Sequence, residues 1–450
     1  MRKLERKYKN ELAVVGVHSA KFTSERDTDN LRKAVLRYEI EHPVINDGQF
    51  AVWQQYGCRA WPTLMFIDPQ GKVIGKQEGE ITFEEFDPII QQMVEEFDGK
   101  GLIDRTPLAL KKEKESGSAL SFPGKVLADE ASGRLFISDS NHNRILVATL
   151  RLRSGQALEA EVSQVVGSGE VGLEDGDFQK ARFDHPQGMA LAHTDQGDVL
   201  YVADTENHAI RKVDLSGGTV EKVAGTGRQA RGSRQGGDAL SADLSSPWDM
   251  VLHDGILYIA MAGVHQIWAL DLKKRQVRPY AGNGREAPVD GALMSASLDQ
   301  PSGITTDGEK LYFADSEASA IRSADLKADG RISSIVGFDL FVFGDVDGMG
   351  QAVRLQHPLG IHYHEGVLYI ADTYNNKIKK VFPHTRSVVT FLGAGEPGYR
   401  DGEGSQALFH EPGDVSVAAG KLYIADTNNH AIRVADLDTG VVSTLELKGL

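Results

Sequence analysis

The sequence predicts an α/β domain followed by an all-β six-bladed β-propeller. Two observations carry the propeller: six copies of one eleven-residue segment, and a near-constant spacing between them. A third carries the first domain: strand-like and helix-like stretches alternate over the first hundred residues. The length of 450 residues exceeds one ordinary core, so more than one domain is expected.

From the N-terminus, MRKLERKYKNE reads as a charged amphipathic helix with no apolar core behind it, which argues against a signal peptide. ELAVVGVHSAKF is an apolar run with strand character, and DNLRKAVLRYEIEH spaces Leu31, Val35, Tyr38 and Ile40 nearly as a helix does. HPVIND, a short helix through FAVWQQYG, the strand PTLMFID, a turn at Pro69-Gln70-Gly71 and the strand KVIGKQEGE follow. A helix from Thr82 to Phe97 closes the domain, with Thr82 and Glu85 as its capping box. Residues 1–98 form this domain and 99–118 a polar linker, although LALKKE could add a strand to the ring.

Residues 119–450 hold the repeats. LFISDSNHNRI (135–145), LYVADTENHAI (200–210), LYIAMAGVHQI (257–267), LYFADSEASAI (311–321), LYIADTYNNKI (368–378) and LYIADTNNHAI (422–432) start 65, 57, 54, 57 and 54 residues apart. Five have Asp at the fifth place (Asp139, Asp204, Asp315, Asp372, Asp426); the third has Met261. A Pro-led strand precedes each copy, at Pro123, Pro186, Pro247, Pro301, Pro358 and Pro412. Asp175, Asp290, Asp347 and Asp401, each followed by Gly, lie eleven residues before such a Pro, and Gly236 takes that place in the third unit. Each unit reads as four short strands with polar turns. About 55 residues cannot bury both faces of such a sheet, so the units stack into a ring. The C-terminal VVSTLELKGL can supply the last strand.

The Asn-His-x-Ile pattern, at Asn141-His142, Asn207-His208 and Asn429-His430, resembles NHL repeats, which form six-bladed propellers. The order of the first hundred residues resembles a thioredoxin-like fold, with Trp61-Pro62-Thr63 as its cis-proline segment. Together, with VGVHSAKF, SPWD, AMAG-x-HQIWAL and FGDVDG, the chain resembles the NHL repeat-containing protein 2-like family over essentially its whole length. In that family a strand and a Cys-x-x-Cys turn precede the first helix, whereas this sequence starts inside the helix. The expectation is therefore an N-terminally truncated thioredoxin-like domain, through a shortened reading frame; a degenerate domain packed on the propeller is the alternative.

The resemblance makes Cys58, the single cysteine, neither member of the redox pair. A lone Cys is more often a small buried hydrophobe than a reactive thiol. Trp61 and Pro62 either line a peptide-binding groove, as the cis-proline loop does in thioredoxin folds, or pack the strand. The Asp repeated in five blades points to a turn cap rather than to calcium or catalysis, and GDVDGMG (344–350) lacks the further oxygen ligands of a calcium loop. His185 and His357 precede strand prolines, and His362 and His364 share a strand face; only two blades place a His before Pro, so no metal is expected. The third blade breaks the repeat with Trp248, Asp249, Met261, His265 and Trp268. There, and at the apolar loop FDLFVFGD (338–345), the choice is between a partner-binding rim and local repacking.

One cysteine excludes an intrachain disulfide and a Cys-rich zinc module. The net charge of −15 is spread over both parts: 14 Lys+Arg against 17 Asp+Glu in 1–100, and 35 against 47 in 101–450. Nucleic acid is therefore not an expected partner. No stretch is apolar enough to span a bilayer. The expectation is a cytoplasmic protein-interaction platform with protein partners, no cofactor and no catalytic residue. A thiol–disulfide oxidoreductase that lost its Cys-x-x-Cys is the alternative. A funnel enzyme lacks a convergent set of His and carboxylates in the sequence.

Overall fold

The computed structural model describes residues 1–450 except 80, 107–109, 111, 114–116, 152–158, 231–235 and 338. The chain divides into two compact units, Met1–Ser116 and Gly117–Leu450. Part of LALKKE, and with it that alternative strand, lies outside the described residues.

In the first unit the order is α1 (Arg2–Lys7), β1 (Gly16–His18), α2 (Thr28–Arg37), β2 (Val44–Asn46), α3 (Ala51–Gln55), β3 (Thr63–Ile67), β4 (Val73–Glu78) and α4 (Phe83–Gly99). Asp27 caps α2 by accepting from the N–H groups of Asp29 and Asn30. The Thr82–Glu85 capping box of α4 is present. Leu4 and Tyr8 from the first helix and its exit pack on Phe86 and Ile90 of α4, with Leu64 and Phe66 of β3 alongside. The strands make two separate pairs: β1 runs parallel to β2, and β3 antiparallel to β4. No ladder joins β1 to β3 among the described residues. ELAVVGVHSAKF narrows to a three-residue strand, and Arg105, in the expected linker, turns back to Glu11 and Asp98 of this unit.

The second unit is six sheets of five strands each. In each blade four strands run antiparallel in chain order from the Pro-led one outward. In blades two to six a two-residue fifth strand comes from the turn before that Pro, as with Gly176–Asp177 beside Thr219–Ala224. Blade one differs, because its fifth strand is the C-terminal Glu446–Lys448, parallel to Glu159–Val166. The chain leaves blade six at Val441–Thr444 and passes directly onto the outer edge of blade one, which closes the ring. Apolar clusters lie between successive blades, as where Tyr201 and Ile210 of blade two meet Leu257 and Trp268 of blade three.

Candidate functional site: a cis-proline shelf and an ionic hub

In the first unit the Trp61–Pro62 bond is cis, and both residues are exposed, Trp61 by 46%. The Trp61 indole is fixed at both ends. Its Nε1–H donates to the Ser19 carbonyl at 2.7 Å, and its ring lies 4.5 Å from Trp53. Phe50 completes the shelf edge-on, 6.4 Å from Trp61. Asp47, buried beneath, accepts from Ser19 Oγ and from the N–H groups of Val52 and Trp53. An aromatic face is thus held rigid and open to solvent, at low side-chain entropy cost to any ligand it binds. Cys58 is half-buried, with its N–H on the Trp53 carbonyl.

The propeller explains its own motif. The repeated Asp accepts from a backbone N–H in the loop that leads into its blade: Asp204 from Asp184 and Asp426 from His410, both at 2.8 Å. In blades two, five and six its second oxygen takes the Asn three residues on and the cation seven on, as in Asn207 and Arg211 with Asp204, whereas Asp139 of blade one takes His142 and Arg144. Arg211 then reaches Asp175 at 2.8 Å, the Asp of the preceding Asp-Gly. Blades four and six repeat this triad with Asp290–Arg322–Asp315 and Asp401–Arg433–Asp426. Blade five uses Lys379 between Asp372, Asp345 and Asp347. Burial pushes Asp204, Asp372 and Asp426 up to about 6, against the pull of the neighbouring cation. The cap is therefore loop-to-strand and ionic, more than a hairpin turn cap.

Blade three lacks all three members. Gly236, Met261 and Trp268 stand for the two Asp and the Arg; Met261 and Trp268 are buried. Met261 Sδ takes over the acceptor role, receiving the Ser245 N–H at 3.4 Å, and Trp268 Nε1 donates to Gln266 Oε1. Trp268 is thus part of a blade interior, and Trp248 is half-buried beside Pro247.

Asp249 belongs to a different constellation. The second residue after each strand Pro is Lys125, Gly188, Asp249, Gly303, Gly360 or Asp414. Lys125 Nζ, on blade one, lies 3.0 Å from Asp249 of blade three, 3.4 Å from Asp414 of blade six and 3.1 Å from the Leu359 carbonyl of blade five. Only the axis allows one ammonium to touch three such blades. A Cβ on Gly188 would fall 2.4 Å from Asp249 Cα, so glycine lets the strands converge there. The carboxylates also cover open strand edges: Asp414 accepts from the Val126 N–H and Asp249 from that of Ile304. Burial, opposed by Lys125 and reinforced by Asp249, pushes Asp414 up to about 7. Burial works against the Lys125 charge, but the two carboxylates outweigh it and raise its pKa.

The histidines do not converge. His185 pairs with Asp184, His357 stacks on Tyr374, and burial with His364 beside it pushes His362 down to about 4. No group of three or more His, Cys, Asp or Glu is placed to hold a metal among the described residues. Phe341 of the apolar loop is 68% exposed; residue 338 lies outside the described residues. No described helix is long and apolar enough to cross a membrane.

Sequence reasoning singled out Trp61, Pro62 and Asp249 as partner-binding candidates; the structure places Asp249 in the buried cluster instead, with Lys125 and Asp414, which that reasoning missed. The signal was available at one register position, two residues after each Pro, read across all six blades.

The thioredoxin-like domain family matches residues 2–94 and the NHL repeat family residues 409–435. Protein SUPPRESSOR OF QUENCHING 1, chloroplastic, of Arabidopsis thaliana is 43% identical over 99% of this chain and 44% of its own length. NHL repeat-containing protein 2 of Bos taurus is 40% identical over 97% of the chain and 63% of its own length, and that of Homo sapiens 38% over 98% and 64%. The chain thus spans less than two thirds of the length of these relatives.

Proposed function

We propose that this chain, which belongs to the family joining a thioredoxin-like domain to an NHL-repeat propeller, is a protein-interaction platform whose cis-proline shelf holds an extended polypeptide. The observation that supports this most is Trp61: large, exposed, and locked by its bond to Ser19 and its tilted ring contact with Trp53. Exposed, pre-ordered aromatic rings are the residues that carry binding energy at interfaces. Within these residues the single Cys58 cannot close an intrachain disulfide, so what they support is binding. The propeller serves as the scaffold, since its axial ions are buried and knit blades together. A cytoplasmic location goes with this reading.

Tryptophan fluorescence titration with reduced, carboxymethylated insulin B chain tests it. Saturable binding that falls about tenfold or more in Trp61→Ala is expected, as for an interface anchor. Binding unchanged in that variant, or insulin reduction that disappears in Cys58→Ser, would contradict it.

A further inference from the structure

Neighbouring blades are tied at the same end by two repeated hydrogen bonds. In the first, the hydroxyl after the repeated Asp donates to the Pro carbonyl of the next blade. Ser140 does so to Pro186, Thr205 to Pro247, Ser316 to Pro358, Thr373 to Pro412 and Thr427 to Pro123, all between 2.6 and 2.9 Å. In the second, the residue three further on sits in left-handed backbone, and its side chain accepts from the N–H just before that Pro. Asn143 accepts from His185, His208 from Ser246, Ser319 from His357, Asn376 from Glu411 and His430 from Phe122.

The seam from blade three to blade four has neither among the described residues. Ala262 stands at the hydroxyl position and has nothing to donate. His265 keeps the left-handed turn, with φ of 52°, yet its buried Nδ1 has no hydrogen-bond partner, and the N–H of Gln300 meets no acceptor on blade three. Asp249 to the Ile304 N–H at 3.3 Å, Tyr280 to the Asp325 carbonyl at 2.7 Å and an apolar layer remain across this seam.

We propose that the seam between blades three and four is the ring's point of opening. At this end of the ring five seams carry both ties and the seam between blades three and four carries neither among the described residues, so separation starts most easily at this end of that seam. Opening there uncovers the innermost strand of blade four, Pro301–Thr306, and leaves the hydrogen-bonded ladders inside each blade intact.

Native-state hydrogen exchange of the full chain, read by mass spectrometry, tests this. Amides in 299–306 are expected to exchange about three- to tenfold faster than those in the equivalent 184–191, 245–252, 356–363 and 410–417, the range that each missing bond supplies. Ala262→Ser restores the hydroxyl and is expected to slow 299–306 alone. Ser316→Ala, at the next seam, is expected to speed 356–363 to a similar degree. Equal protection of all five segments in the parent chain would overturn the proposal. So would fast exchange at 299–306 that Ala262→Ser leaves unchanged while Ser316→Ala leaves 356–363 protected.

Discussion

Blades two and three occupy the same place in the same repeat and reach it with opposite chemistry. Blade two ties its second and third strands to the loop before its Pro with Asp204, Arg211 and Asp175, two of them fully buried. Blade three does it with Met261, Trp268 and a glycine, and keeps the strand register: Met261 pairs with Gln266 as Asp204 pairs with Ala209. The common requirement is an acceptor for one loop N–H and enough side-chain volume to fill the wedge beside it. A carboxylate meets the first, but its burial then needs a cation, and that cation needs a second anion. A thioether meets it without charge, and Trp268 supplies the volume. In blade three the three positions change together, whereas blade one keeps its Asp139 and meets it with Arg144, five residues on, in place of the triad's cation.

The comparison breaks most visibly if one member of a charged triad is removed. Arg211→Met leaves Asp204 buried beside no cation and is expected to cost about 3–5 kcal/mol in urea unfolding of the full chain. In the apolar version a milder change has a milder effect. Trp268→Phe loses the bond to Gln266 and part of the ring, so a loss of about 1–2 kcal/mol is expected.

The hub sharpens the comparison through pH. Asp414 has a folded-state pKa raised to about 7, above its ordinary value near 3.8, so the folded protein holds that proton more tightly than the unfolded chain. Its contribution to stability is therefore greatest at low pH and falls as pH rises through that window. Asp414→Asn keeps an acceptor for the Val126 N–H and removes the charge. Its urea midpoint is expected to gain on the parent between pH 5 and pH 8, and a gap that stays constant with pH would contradict the assignment. The smallest expected effect is at the shelf. Trp61→Ala should cost about 1 kcal/mol, from the lost bond to the Ser19 carbonyl and the lost contact with Trp53, since half of that ring already faces water.

Much of this architecture is legible in the sequence because repetition multiplies weak signals. One LYIAD segment is ambiguous, whereas six in register with Pro upstream fix the blade, its four strands and its count. The α4 capping box was equally readable, because Thr82 and Glu85 act within one turn. Two things were hidden. Lys125 meets Asp249 and Asp414 across 124 and 289 residues, a contact that only ring closure creates. The pairing of the first unit's strands into two separate sheets depends on which edges meet, and hydropathy alternation does not encode that. The linkage of Gly236, Met261 and Trp268 was visible as three separate departures from the repeat, and became one event once Arg211 was seen to join Asp175 to Asp204.

The measurement that bears most directly on this account is the urea unfolding free energy of the full chain with Asp175→Gly, Asp204→Met and Arg211→Trp combined, set against Arg211→Met alone. If the triad and the apolar trio are alternative solutions to one packing requirement, the triple variant returns to within about 1 kcal/mol of the parent, as replaced buried ion pairs do. A triple variant as unstable as the single one, or more so, would contradict it.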